Sequence, residues 1–114
     1  MSDLHYNLEP LNNLVDGNLQ FQRTLIELFN QTTPPILQDI QDNYLKKDWK
    51  SLYLHLHKIK PTIDSMGIHV AKPYLQAVMQ EVVKEKDSVE LQKQITQFCN
   101  IILETIEQLK TNEL

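Results

Sequence analysis

The spacing of apolar residues predicts an all-helical chain. Apolar side chains recur every three or four residues through most of the sequence, and the alternation that is typical of strands is absent. The central segment has the clearest stripe: Trp49, Leu52, Leu56, Ile59, Ile63 and Met66. A stripe with this spacing is the surface that a helix buries in a bundle. Asp48 is a favourable N-cap for this helix, and Gly67 permits the left-handed conformation that ends it.

The residues before the central segment predict a short helix and a long one. The short helix runs from Leu8 to Val15, with Pro10 in its first turn. After the turn "DGN", Asn18 can cap a second helix. The stripe expected on this helix comprises Phe21, Leu25, Leu28, Thr32, Ile36, Ile40 and Tyr44. Because the apolar phase continues across Pro34 and Pro35, we expect one long helix that is kinked at the prolines.

The residues after the central segment predict two more helices. The first runs from Ala71 to Lys86 with Leu75, Val78 and Val82 on one face, and Asp87 or Ser88 caps the second. The stripe of the last helix is Leu91, Ile95, Phe98, Ile102, Ile106 and Leu109. Four long amphipathic helices with short loops predict an antiparallel up-down four-helix bundle with a short extra N-terminal helix. A chain of 114 residues has room for one domain, residues 1–114.

The composition argues against several classes of function. A net charge of -4 disfavours nucleic-acid binding, and no apolar run approaches the roughly 20 residues of a membrane span. The N-terminus lacks the basic start and apolar run of a signal peptide, so we expect a cytoplasmic protein. Met1 and the absence of linkers favour a free-standing protein, for which we expect a monomer. Cys99, beside Phe98 and Ile102, is expected to be a buried and inert thiol.

The stretch "HLHKIKPTIDSMG" contains two histidines that helical geometry separates. At about 100° per residue, His57 points about 130° away from the apolar stripe, whereas His55 lies about 70° from it and should be half-buried. Residues two positions apart do not share a helix face, so we expect no metal site at this pair. Lys60 lies one turn after His57 on the same side, and Leu54 and Pro61 place apolar side chains around the ring.

The combination of an exposed imidazole and an ammonium group predicts a phosphoryl acceptor. A neutral imidazole is nucleophilic at physiological pH, because the unperturbed pKa of histidine is about 6.5. A nearby lysine disfavours protonation of the ring and can neutralise a phosphoryl oxygen. The chain has no P-loop, HExxH or nucleophile–base–acid pattern, so we expect no self-contained enzyme. From geometry alone, a surface histidine on a structural helix remains the alternative.

On these residues the chain resembles the histidine-containing phosphotransfer (HPt) domains. The family motif is a histidine, any two residues, a lysine, and a glycine ten positions after the histidine. His57, Lys60 and Gly67 match this motif. The segments "LVDGNLQFQRTLIELF" and "DWKSLYLHLHKIK" are similar to the opening helix of the family and to the approach to its phosphorylated histidine. The resemblance covers nearly the whole chain, although the last third matches only in helical pattern.

The resemblance implies a phosphorelay protein with a four-helix bundle. His57 would accept a phosphoryl group from the aspartate of a response-regulator receiver domain and pass it to another receiver, while Lys60 offsets the phosphate charge. A hybrid sensor histidine kinase is a second class of partner. Mg²⁺ is expected on the receiver, and no cofactor is expected on this chain.

The resemblance also implies a surface on which the partner docks. We expect this surface to contain Leu54, Lys58, Pro61 and Gly67. Many members carry a small residue where Pro61 stands, and they tend to place a hydrogen-bonding side chain near the imidazole, for which Gln76 and Gln80 are candidates. The alternative function is that of a degenerate HPt-like module, a helical adaptor that binds a partner without phosphorylation.

Overall fold

The computed structural model describes residues 3–114, and every regular element in this range is an α-helix. The helices are α1 (Glu9–Leu14), α2 (Leu19–Leu45), α3 (Trp49–Ser65), α4 (Lys72–Val82) and α5 (Val89–Glu113). The predicted all-helical class is therefore confirmed. Helix α4 ends at Val82, before the predicted Lys86. None of the helices in the described range is long and apolar enough to cross a membrane.

Side-chain caps define where three of the helices begin. Asn18 accepts a hydrogen bond from the Phe21 N–H at 3.0 Å, and Asp48 accepts one from the Ser51 N–H at 3.2 Å. Ser88 rather than Asp87 caps α5, since its Oγ accepts the Leu91 N–H at 3.0 Å. These caps satisfy backbone donors that the first turn of a helix leaves without partners.

The long helices pack in a closed ring of neighbours. Helix α2 packs against α3, α3 against α4, α4 against α5, and α5 against α2. Helix α1 lies against α2 and α3. The predicted stripes of α3, α4 and α5 form most of the core, because all their residues except the half-buried Trp49 are buried. The orientation of α3 about its own axis is thus set by its apolar stripe.

The first half of α2 is rotated relative to the prediction. Phe21 and Leu28 are 51% and 52% exposed. The buried stripe is instead Ile26, Phe29, Thr33, Leu37, Ile40 and Tyr44. The first half of α2 has apolar side chains on two adjacent faces. The face with Ile26 and Phe29 is the one that is buried in the core. The second half follows the predicted phase at Ile40 and Tyr44, and the helix continues through Pro34 and Pro35 as expected.

The end of α3 is closed by a glycine and covered by the N-terminal segment, residues 3–8. Gly67 has φ +62°, and the N–H groups of Gly67 and Ile68 donate to the carbonyls of Asp64 and Ile63 at 3.1 and 3.0 Å. This pair of bonds is a Schellman motif. The Asn7 N–H donates to the Gly67 carbonyl at 2.8 Å. A Cβ atom at Gly67 would overlap the Asn7 carbonyl oxygen, so both φ and space require glycine here.

Candidate functional site

His57 lies on the solvent side of α3. The residues on either side of it in the stripe, Leu56 and Ile59, are 0% and 1% exposed, so the helix can present His57 only outward. The His57 side chain is exposed, as predicted. Among residues 3–114, neither ring nitrogen of His57 forms a hydrogen bond or an ion pair. Both nitrogens are therefore accessible to a reactant from solvent.

One aromatic side chain stacks on the His57 ring. The ring centroids of Tyr53 and His57 are 6.2 Å apart, and the ring planes are inclined by 8°. Tyr53 is half-buried and packs against the core from its position one turn before His57. Tyr53 was not among the site residues predicted from the sequence. The sign of its role in the sequence was its position four residues before His57.

His55 faces α2 and is held there by polar contacts. Its Nδ1 lies 2.9 Å from the Ser51 carbonyl oxygen and 2.9 Å from Asn43 Nδ2. Its Nε2 lies 3.6 Å from an Asp39 carboxylate oxygen. The half-buried position that was predicted for His55 is confirmed. The two histidines thus differ in exposure and in their hydrogen-bonding partners.

Two lysines lie near His57 on α3, although the chain as a whole has a net charge of -4. Lys58 and Lys60 are exposed and form no ion pair within the described residues. The acidic residue that follows them on α3, Asp64, is paired with Lys72 at 3.1 Å. The charges of Lys58 and Lys60 therefore remain available to an anion that approaches the imidazole.

Apolar side chains lie beside His57 on the exposed side of α3. Leu54 is 58% exposed, and Pro61 is also exposed. Helix α3 continues past Pro61 to Ser65. Because proline has no N–H, it cannot donate to the carbonyl oxygen four residues earlier, which belongs to His57. Pro61 thus leaves a backbone acceptor without its helical donor directly beside the imidazole.

An apolar groove of about 210 Å³ continues this surface toward α1 and α2. Thr62, which follows Pro61, lines the groove together with Leu14, Leu25 and Leu28. The exposure of Leu28 results from the rotated register of α2. The groove was therefore missed in the sequence, where Leu25 and Leu28 were assigned to the core.

Gly67, which was also expected among the docking residues, does not lie on this exposed surface. It is buried and covered by the Asn7 backbone. Position 67 requires glycine because of its positive φ and because the N-terminal segment closely approaches the end of α3. Leu54, Lys58 and Pro61 are exposed and lie, like His57, away from the buried stripe of α3.

Two contacts set the register of α4 against α3. The Asp64–Lys72 ion pair joins one end of the two antiparallel helices, and Tyr53 shares a surface depression with Val82 near the other. These contacts place His57 level with the middle of α4.

The two glutamines that were candidates for a hydrogen bond to the imidazole lie on either side of this level. Gln76 and Gln80 are both exposed on α4. Within the part of the chain that the structure describes, neither side chain forms a hydrogen bond with His57.

Other reactive groups lie away from this surface. Cys99 is buried as predicted, and burial raises the pKa of its thiol because the apolar surroundings disfavour the thiolate. Within residues 3–114, no group of three or more His, Cys, Asp or Glu side chains could hold a metal ion.

Comparison of the chain with protein-family models, with curated proteins and with solved structures gives no match. The function of the chain is therefore inferred from the residues around His57.

Proposed function

We propose that this chain is a phosphorelay carrier whose His57 reversibly accepts a phosphoryl group from the aspartate of a receiver domain. The observation that carries the proposal is the exposed imidazole of His57 beside the exposed Lys60, with neither side chain in a hydrogen bond or ion pair among residues 3–114. The closed ring of α2 to α5 supports an antiparallel up-down four-helix bundle with α1 as an addition. This bundle holds His57 on a rigid helix, as a transfer site requires.

The transfer exchanges one bond to phosphorus for another. The in-plane lone pair of a neutral His57 nitrogen attacks the phosphorus of the partner's aspartyl phosphate. An N–P bond forms while the P–O bond to the aspartate breaks, and the carboxylate leaves with the bonding electron pair. The proton on the other ring nitrogen is retained or released to solvent. Return of the phosphoryl group to a second receiver reverses these steps.

Lys60 supplies charge rather than a proton in this reaction. The phosphoryl oxygens carry negative charge throughout the transfer, and catalysis of such a step is mostly positioning and electrostatic stabilisation. Lys60 lies one turn from His57 and has no acidic partner among the described residues, so its ammonium group can contact the phosphoryl oxygens. Any Mg²⁺ in the complex is expected on the receiver.

The partner would dock on the apolar residues beside His57. Leu54 and Pro61 provide exposed apolar area, and Lys58 adds positive charge for an acidic phosphorylation site. The groove that begins at Thr62 extends this area toward α1 and α2. An apolar patch with a basic rim suits a partner whose reactive group is anionic.

Phosphoryl transfer to the purified chain tests the proposal. The chain is incubated with isolated receiver domains that carry a radiolabelled aspartyl phosphate. We expect label on the chain that is lost in acid, retained in alkali and located in the peptide containing His57. Receiver binding without transfer of label would overturn the proposal in favour of the non-phosphorylated adaptor. An acid-stable label would indicate a hydroxyl acceptor and would also overturn it.

A further inference from the structure

We infer that Tyr53 is a positioning residue that orients the imidazole of His57 for phosphoryl transfer. The inference rests on the proposed function and extends it to a residue outside the His–Lys–Gly motif. It is based on the parallel stacking of the two rings, with planes inclined by 8° and centroids 6.2 Å apart. This separation lies within the range at which aromatic rings attract each other.

Tyr53 is the fixed member of the pair. Its ring is half-buried against the core, and it lines a surface depression together with Trp49 and Val82. His57 is exposed and has no hydrogen bond to a described residue, so Tyr53 is the side chain that restricts its ring. The Tyr53 hydroxyl forms no hydrogen bond within residues 3–114, whereas those of Tyr6 and Tyr44 do. The aromatic ring, rather than the hydroxyl group, therefore carries the proposed role.

The geometry of the stack is compatible with nucleophilic attack. The lone pair of an imidazole nitrogen lies in the ring plane, and a neighbouring ring in a parallel, displaced plane leaves this lone pair open. An exposed side chain without contacts would instead occupy several rotamers. Ordering such a side chain when the partner docks has a free-energy cost that pre-ordering removes. This cost corresponds to roughly a threefold to tenfold change in the rate of transfer.

The test compares Tyr53→Leu and Tyr53→Phe with the control Tyr74→Leu. Tyr74 is likewise half-buried and packed against the core, but it lies on α4 outside the site. Each variant receives phosphate from a labelled receiver domain and from phosphoramidate, a small donor that needs no docking. NMR of the imidazole protons reports the rotamers and ring-current shifts of His57 in the free protein, and thermal melting followed by circular dichroism verifies folding.

We expect Tyr53→Leu to lower the receiver rate about threefold to tenfold relative to the phosphoramidate rate. It should also average the His57 rotamers, whereas Tyr53→Phe and Tyr74→Leu should preserve both properties. Unchanged rotamers in Tyr53→Leu would overturn the inference, and so would altered rotamers with an unchanged ratio of rates. If no receiver phosphorylates the unaltered chain, the proposed function fails, and the NMR comparison still decides whether Tyr53 orients His57.

Discussion

The two ends of the His57–Lys60–Gly67 motif lie in opposite surroundings. His57 and Lys60 are exposed and form no hydrogen bond or ion pair within the described residues. Gly67 is buried, closes α3 with a Schellman motif and is covered by Asn7. The first end has the properties of a reactive surface, whereas the second has those of a structural joint. One sequence motif can therefore combine residues that serve chemistry with a residue that serves the fold.

The difference has a simple physical origin. A reactive imidazole must be reached by a second molecule, so its helix face cannot be covered. The end of a helix, by contrast, leaves carbonyl groups without donors, and a glycine with positive φ lets the following N–H groups satisfy them. In this chain the same turn also accepts the N-terminal segment. Substitutions at the first end should change transfer and leave stability intact, while those at the second end should change stability.

The largest effect is expected at His57. His57→Gln removes the nucleophile, so label transferred from a receiver domain should fall to background. The melting temperature should change little, because the exposed side chain forms no hydrogen bond with a described residue and loses only its stacking on Tyr53. The matched control is His55→Gln, which should keep transfer and lose about 1 kcal/mol of stability through its contacts with Asn43 and Ser51. Persistent labelling of His57→Gln would refute the assignment of the acceptor.

Gly67→Ala should lower the stability of the fold at the buried end of the motif. Positive φ costs a non-glycine residue about 1–2 kcal/mol, and a Cβ at Gly67 also overlaps Asn7. We therefore expect the free energy of unfolding to fall by about 2–4 kcal/mol in urea denaturation. Gly17 is the matched control, because it has φ +74° and open space around its Cβ position. Gly17→Ala should cost only the positive-φ penalty of about 1–2 kcal/mol. Equal losses at the two glycines would show that the contact with the N-terminal segment is unimportant.

Lys60→Ala tests whether the charge beside His57 acts on the phosphoryl group. Loss of a charge-assisted contact should slow transfer about tenfold. The melting temperature should not change, because Lys60 forms no ion pair with a described residue. Lys93→Ala on α5 removes an equally exposed lysine far from the site and serves as the control. Equal transfer rates for Lys60→Ala and the unaltered chain would contradict the proposed role.

Leu54→Glu tests the docking residues. A partner that covers Leu54 would have to bury the introduced carboxylate, so its dissociation constant should rise about tenfold. Leu54 is 58% exposed, and the variant should fold normally. Leu103→Glu provides a comparison on α5, where the leucine is 45% exposed. Calorimetric titration with a receiver domain measures both constants. Equal values would remove Leu54 from the interface.

The smallest effect concerns the N-terminal segment at alkaline pH. Burial, together with the hydrogen bond to Glu113, raises the pKa of Tyr6 to about 12. The folded state thus holds the phenolic proton more tightly than the unfolded state, in which the pKa is about 10. This contribution to stability is complete below about pH 10 and is lost as the pH rises toward 12.

Urea denaturation from about pH 9 to about pH 11 measures this loss. Tyr6→Phe should reduce the decline of stability with pH but not remove it, since burial and Asp87 also raise the pKa of Tyr44 to about 12. An identical decline in Tyr6→Phe and the unaltered chain would show that Tyr6 does not contribute.

Much of α3 could be predicted from the sequence, because one stripe dominates it. The predicted stripe from Trp49 to Met66 is the one that the core contains, and the exposure of His57 follows from it. The same method failed for the first half of α2. Two adjacent faces there are apolar, and local spacing cannot show which of them another helix will cover. For the stacking of Tyr53 on His57, the sequence shows only that the two residues are four positions apart. It does not show that their rings stack.

The sequence by itself determined the helical class, the caps at Asn18 and Asp48, and the outward direction of His57. These features depend on local periodicity and on contacts within a few residues, which the order of side chains specifies. Only the tertiary structure decided that Leu28 is exposed and that Gly67 lies beneath Asn7. Each of these depends on contacts between segments distant in the chain. Such contacts are set by how the helices pack together, and no local pattern specifies them.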